Sequence, residues 1–168
     1  MDILYTEQEI QDKLKSLAEK LNQTYDKVTL LITLTGGIYT GIDLSKYLTI
    51  PVCLEFIKVS SYGNKQESGD ISFEWTSIKK GSDLGNLIIV DDICGTGKTL
   101  VYIINYVKSN YKYNDIKTLT LFDKPCRREK NIKPDYFGFT YPTKEFIYGF
   151  GLDDCNMYLN CRYVFKKK

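Results

Sequence analysis

Residues 88–99, Ile88-Ile89-Val90-Asp91-Asp92-Ile93-Cys94-Gly95-Thr96-Gly97-Lys98-Thr99, concentrate the groups that could do chemistry. An apolar run ends in two adjacent carboxylates and continues through a Gly/Thr turn into a segment with helical spacing. Gly95 and Gly97 allow a tight turn and close backbone approach to a ligand. Amides at a helix N-terminus converge on one point, and the helix dipole favours an anion there. Thr96 and Thr99 add hydroxyl donors, so the stretch suits a monophosphate. Asp91 and Asp92 suit a polyol or a hydrated divalent cation, because carboxylates accept from hydroxyls and from metal-bound water.

Two other readings compete. Gly97-Lys98-Thr99 looks like the end of a Walker A loop, but that loop needs glycine at position 92, where Asp92 stands. A strand–turn–helix with capping acids is the plain structural alternative. It leaves two carboxylates at the end of a buried strand, which is costly without partners.

The elements around this loop follow from the hydrophobic pattern. Thr6 and Glu9 form a capping box, and Ile10, Leu14, Leu17 and Leu21 follow at helical spacing, predicting a helix over about 7–22. Val28 to Thr33 is an apolar, β-rich run that stops at Gly36-Gly37 and reads as a buried strand. A short helix over 39–48 ends before Pro51, and Val52 to Val59 reads as a strand. Residues 60–75 open with a polar, Gly/Ser-rich stretch, a mobile loop by composition. Leu87 to Val90 is apolar throughout, as in a strand covered on both faces. A helix over about 97–112 and a strand at Leu119 to Phe122 follow. Alternating strands and helices predict an α/β fold with a parallel sheet. The aromatic-rich last third predicts a small subdomain of short strands.

Composition narrows the function. The chain has 168 residues, 23 Lys+Arg against 21 Asp+Glu, and no histidine. Its length suits one domain. Ser-His-Asp triads, Cys-His pairs and HExxH zinc sites are excluded outright. A net charge of +2 argues against a nucleic-acid binder. Five cysteines, an odd number without CxxC spacing, predict reduced thiols in a cytoplasm. The N-terminus has no signal-peptide pattern, and no apolar run is long enough to span a bilayer. Lys166-Lys167-Lys168 reads as a solvated terminus.

The loop and five further segments, in order, resemble type I phosphoribosyltransferases, specifically the bacterial hypoxanthine (guanine) enzymes. Val90 to Thr99 looks like their signature for 5-phosphoribosyl 1-diphosphate (PRPP). Leu34-Thr35-Gly36-Gly37 falls at the pyrophosphate loop, and Ser60-Ser61-Tyr62-Gly63 at the start of a mobile lid. Asp123-Lys124-Pro125-Cys126-Arg127-Arg128 is similar to the purine segment. Lys133 to Phe139 and Phe146 to Asp153 complete the pattern over nearly the whole chain.

That resemblance implies a type I phosphoribosyltransferase fold: one domain with a central, mostly parallel sheet, flanking helices, a lid at about 60–75 and a small hood from the chain ends. It implies transfer of 5-phosphoribosyl from PRPP to a 6-oxopurine, in purine salvage, with Mg2+ as cofactor. Gly95, Thr96, Gly97, Lys98 and Thr99 would hold the 5-phosphate, and Ser61 and Tyr62 would belong to the lid. Asp91 and Asp92 would flank the ribose hydroxyls and a magnesium site, and Asp153 a second magnesium. Thr35 and Gly36 would contact pyrophosphate, with Arg127 or Arg128 as charge partner. Lys124 would donate to the purine 6-oxo group, Phe146 and Ile93 would sandwich the base, and the Ile147 backbone would read its edge. A homodimer or homotetramer in the cytoplasm, with no membrane or nucleic-acid partner, is implied too.

Each of these residues also has a plainer role. Phe146 and Ile147 fit a core, Lys124 a solvated surface, Arg127 and Arg128 a loop, and Asp153 a turn. The chain also departs from the family pattern. Gly95 stands where 6-oxopurine enzymes usually carry an Asp proposed as general base. Thr35 stands where many have Lys or Ser, and Leu159 where an arginine is common. These departures keep open a second function, a PRPP- or nucleotide-binding regulator with weak or no turnover. An RNA-binding operon regulator fits less well with three arginines and a charge of +2.

Overall fold

The computed structural model describes residues 2–62 and 70–167. Six strands form the main sheet: β2 (Val28–Leu34), β3 (Val52–Tyr62), β4 (Asp70–Thr76), β5 (Asn86–Cys94), β6 (Asp115–Asp123) and β7 (Tyr136–Thr140). Their order is β4-β3-β2-β5-β6-β7, and all run parallel except β4, which pairs antiparallel with β3. Three helices pack on it: α1 (Glu7–Thr24), α2 (Gly37–Lys46) and α3 (Lys98–Asn110).

The uninterrupted apolar runs of β2 and β5 are explained by cover on both faces. Side chains alternate sides along a strand. Leu30, Ile32, Ile88 and Val90 pack with Ile10, Leu14, Leu17 and Leu21 of α1 and Leu44 of α2. Leu31, Leu87 and Ile89 pack with Leu100, Ile103 and Val107 of α3. Burying a Leu, Ile or Val side chain contributes about 1.5–3 kcal/mol, so each core strand is anchored on both sides. The capping box at Thr6 is formed: the Glu9 amide donates to Thr6 Oγ1 at 3.3 Å and the Thr6 amide to the Glu9 carboxylate at 2.8 Å.

A second sheet joins distant parts of the chain. β1 (Asp2–Tyr5), β9 (Val164–Lys166) and β8 (Ile147–Tyr148) lie in the order β1-β9-β8, all antiparallel.

Several boundaries differ from the sequence expectations. The loop expected over 60–75 is largely a hairpin: β3 reaches Tyr62 and pairs with β4 from Asp70, with Ser61 opposite Ile71. Residues 63–69 of that loop lie outside the described residues. The aromatic last third does not segregate into one subdomain. Tyr136, Phe137 and Phe139 lie in β7, the outer strand of the main sheet, and Phe139 stacks on Phe122. The basic end is not a bare solvated tail. Lys166 lies in β9 and pairs with Glu145, while Lys167 pairs with Asp154 at 2.7 Å. A three-residue strand, Val164-Phe165-Lys166, is too short for its pattern to reveal this.

Candidate active site

The carboxyl ends of parallel strands are open to ligands because the connecting loops diverge there. Here β2, β5 and β6 end at Leu34, Cys94 and Asp123, each leading into a segment singled out from the sequence.

The turn after β5 is built on glycine. Gly97 has φ of 82°, and a Cβ there would collide with Ile132. It precedes α3, whose first turn has no side-chain cap from residue 97. The turn is fastened from the β6 side: Lys124 N donates to Cys94 O, and Glu129 N and Lys130 N both donate to Thr96 O, each at 3.0 Å. Thr96 Oγ1 accepts from the Lys98 amide at 3.3 Å. The Lys98 ammonium pairs with Glu129 at 2.9 Å. Gly95 is backed by open space, with nothing within 4 Å of where a Cβ would stand.

Asp91 and Asp92 are neighbours in a strand, so they face different spaces. Asp91 is 8% exposed and accepts from Thr33 Oγ1 at 2.5 Å and from the Asp92 amide at 3.0 Å. It lines a cavity of about 180 Å³ with Thr99 and the hairpin residues Val59, Ser60 and Ile71. Asp92 lines two other cavities, and its Oδ1 accepts from the Ile93 amide at 2.7 Å. Burial raises both carboxyls, and the Asp91 charge pushes Asp92 further up. Ser61 and Tyr62 are placed only by backbone pairing at the end of β3.

One of Asp92's cavities, about 170 Å³, is lined by Ile93, Gly95, Lys124, Arg127, Phe146, Ile147, Leu152 and Asp153. Phe146 is 43% exposed, lines this cavity together with Ile93, and has the Lys167 ammonium 5.4 Å from its ring centroid. Lys124 is 3% exposed, and its ammonium donates to the Glu145 carbonyl and lies 5.1 Å from the Tyr141 ring centroid. Desolvation lowers its pKa. The other cavity, about 210 Å³, is lined by Thr35, Gly36, Asp92, Gly151, Asp153, Asn156 and Leu159. The peptide between Leu34 and Thr35 is cis. Gly37 must be glycine, since a Cβ would lie 2.5 Å from Thr33 Oγ1 and 2.8 Å from the Val90 carbonyl.

Asp92 and Asp153 thus share both walls, whereas Asp91 faces a third space. Among the described residues no three acids converge as a ready-made metal site. Of the two arginines, Arg127 lines the flat cavity, while Arg128 donates to the Asp123 carboxylate and to Cys94 Sγ and acts as an internal tie. Sequence reasoning missed Thr33, Tyr141 and Glu145, which hold Asp91 and Lys124. None sits in a spacing that marks it out. A larger cavity of about 450 Å³, near Lys27, Asp83, Asn86 and Asn114, lies at the amino ends of the strands and lacks any such convergence.

Residues 1–154 match the model of the phosphoribosyl transferase domain family. The hypoxanthine-guanine phosphoribosyltransferase of Streptococcus pyogenes is 39% identical over 165 residues, covering 96% of this chain and 90% of that protein. A crystal structure of a hypoxanthine-guanine phosphoribosyltransferase from Bacillus anthracis superposes with a TM-score of 0.89 at 29% identity, covering 100% of this chain and 99% of that one. A hypoxanthine phosphoribosyltransferase from Staphylococcus aureus does so with a TM-score of 0.89 at 31% identity, covering 100% and 91%.

Proposed function

The chain belongs to the phosphoribosyl transferase family, and from that premise we propose that it transfers the 5-phosphoribosyl group of PRPP to hypoxanthine, and to guanine, in purine salvage. The products are the purine nucleoside 5'-monophosphate and pyrophosphate. The observation that carries this reading is the shared wall. Asp92 and Asp153 border both a flat cavity with a buried lysine and an aromatic face, and a glycine-lined cavity beyond it. The transferred ribose C1 must pass between the same two spaces. Nothing in the fold or the comparisons favours the alternative of a non-catalytic regulator.

The residue roles belong to the same proposal. Residues 95–99 offer backbone donors and threonine hydroxyls to the 5-phosphate, and Asp91, fixed by Thr33, accepts from a ribose hydroxyl. Thr35 and Gly36 present backbone to pyrophosphate. Phe146 and Ile93 hold the base flat, and the backbone of Ile147 meets its edge. Lys124 has three donors and spends one on the Glu145 carbonyl, leaving others for a 6-oxo group. An ammonium cannot accept from adenine's amino group, so 6-oxopurines are preferred.

As the C1–oxygen bond to pyrophosphate breaks, positive charge develops on the ribose ring and negative charge on the leaving group. Carboxylates fixed beside the ring stabilise the first. Asp92 and Asp153 fit a magnesium ion, which takes one or two carboxylates together with substrate phosphates. Bound there, it would supply positive charge to the leaving pyrophosphate. The proton on the attacking purine nitrogen has no acceptor at Gly95, so this step lacks the assistance that a carboxylate there would provide.

The β1-β9-β8 sheet is assigned as the hood and the β3–β4 hairpin as the cover over the ribose side, within one domain. Assembly as a homodimer or homotetramer in the cytoplasm belongs to the proposal as well. No helix among the described residues is long and apolar enough to cross a membrane.

The test is direct. Protein, Mg2+ and PRPP are mixed with hypoxanthine, guanine, xanthine or adenine, and the nucleotide formed is measured. Product with hypoxanthine and guanine, and little with adenine, is expected. No product with any base, alongside measurable PRPP binding, would overturn the reading.

A further inference from the structure

We propose that Glu145 is a positioning residue for the purine, fixing the irregular segment that carries both the acceptor of Lys124 and the stacking ring of Phe146. The inference rests on the assignment of the flat cavity to the base.

Residues 141–146 connect β7 to β8 without regular structure; backbone bonds hold the two ends, Tyr141 N to Asp123 O at 2.7 Å and Lys167 N to Phe146 O at 2.9 Å, and no ladder holds the residues between. Within that stretch the Glu145 carboxylate gathers three donors from three places. Oε2 accepts from Tyr141 Oη at 3.1 Å, where the chain leaves the main sheet, and from Thr143 Oγ1 at 3.0 Å within the connection. Oε1 pairs with the Lys166 ammonium on β9, in the second sheet.

The consequences fall on the cavity. The carbonyl of Glu145 accepts from the Lys124 ammonium, and the Tyr141 ring lies beneath that ammonium. The next residue, Phe146, follows Glu145 into the wall, and its own carbonyl accepts from the Lys167 amide at 2.9 Å. One carboxylate therefore ties the lysine that meets the 6-oxo group, the stacking ring and the second sheet into one unit. It touches no substrate itself, and the phosphate cradle of residues 95–99 lies outside its network.

That separation supplies the test. Calorimetric titration with inosine 5'-monophosphate reads purine and phosphate together, and titration with PRPP reads the phosphate side alone. Glu145→Ala is expected to weaken inosine monophosphate binding about fivefold, the scale of one half-exposed ionic contact, while PRPP affinity is unchanged. Glu145→Gln keeps acceptors for Tyr141 and Thr143, loses the charge, and is expected to recover part of the loss. In steady state the KM for hypoxanthine rises and the KM for PRPP does not. Unchanged nucleotide binding in Glu145→Ala, or an equal loss for PRPP, overturns the proposal. If that variant fails to fold, Lys166→Met cuts one contact of the three and must give the same selective pattern at about twofold. Wild-type protein that binds inosine monophosphate but forms none would instead count against the transfer reaction, and the effect of Glu145 would still be measurable.

Discussion

The carboxylate of Asp92 occupies the space that a side chain on residue 36 would need, so Gly36 and Asp92 are mutually exclusive with any larger pair. The turn after β2 and the acid at the end of β5 are therefore placed against each other, on the wall of the cavity assigned to pyrophosphate. Misplacing a reacting group by about 1 Å can cost about a hundredfold in rate. Gly36→Ala is expected to lower kcat/KM by about that factor while thermal unfolding remains cooperative. Near wild-type turnover would mean that the carboxylate yields without consequence.

Asp92 also carries a stability cost. Burial first, and the Asp91 charge second, hold its carboxyl well above the ordinary value of 3.8. A carboxyl raised on folding contributes stability that is fully present below its unfolded pKa and lost as pH rises through its folded pKa. From the ordinary carboxyl range upward, rising pH therefore takes stability from the metal-free protein. In chelator, Asp92→Asn is expected to raise the Tm near pH 7, by about 2–4 °C for each kcal/mol recovered. The difference from wild type should shrink as pH falls toward 4. Turnover should be abolished in the same variant. A Tm difference that is negative, or constant with pH, would contradict the assignment of the shift to burial.

Gly95 makes a different kind of prediction, a gain. Its backbone is not in the left-handed region, and open space surrounds the missing Cβ. It lines the flat cavity beside Lys124 and Phe146, where the purine proton must leave. General-base assistance is typically worth about 10²–10⁴-fold. Gly95→Asp is expected to raise kcat with hypoxanthine by about tenfold or more, since a new carboxylate will not be ideally aligned. An unchanged or lower kcat would show that proton removal does not limit turnover.

How much of this was legible beforehand depended on the range of the interaction. The core strands announce themselves as short uninterrupted apolar runs, because both their faces are covered, and α1 through apolar residues at helical spacing. The phosphate turn is legible because one contiguous segment supplies glycines, hydroxyls and a helix start. Asp91 and Asp92 line different cavities, yet their carboxyls remain within reach of each other, so the joint pair that adjacency in sequence suggests persists. Arg127 and Arg128 look equivalent, but Arg128 turns inward to Asp123 and Cys94, a choice decided by tertiary geometry. Glu145, in the connection before β8, meets Lys166 of β9. No local pattern encodes a contact whose partners lie so far apart in the chain. The hairpin of β3 and β4 was hidden because its polar tip dominated the composition of the window.

The pyrophosphate side offers the last prediction. The cavity assigned to it is lined by Thr35, Gly36, Asp92, Gly151, Asp153, Asn156 and Leu159, two acids and no cationic side chain. Carboxylates alone repel a polyanion, so binding there must draw on magnesium and on backbone donors. Leu159 is half-buried on this wall, and its carbonyl is already used, accepting from the Gly151 amide at 2.9 Å. Its side chain can therefore be exchanged without breaking that bond. A guanidinium at this position would add a bidentate partner for a phosphate, worth about 1.5–3 kcal/mol when charge-assisted. Leu159→Arg is expected to lower the KM for pyrophosphate in the reverse reaction about tenfold, to lower the KM for PRPP by less, and to leave the KM for hypoxanthine unchanged. The gain should shrink in high salt, as screening weakens a partly exposed ion pair. A KM for pyrophosphate that does not fall would place the leaving group elsewhere than this cavity.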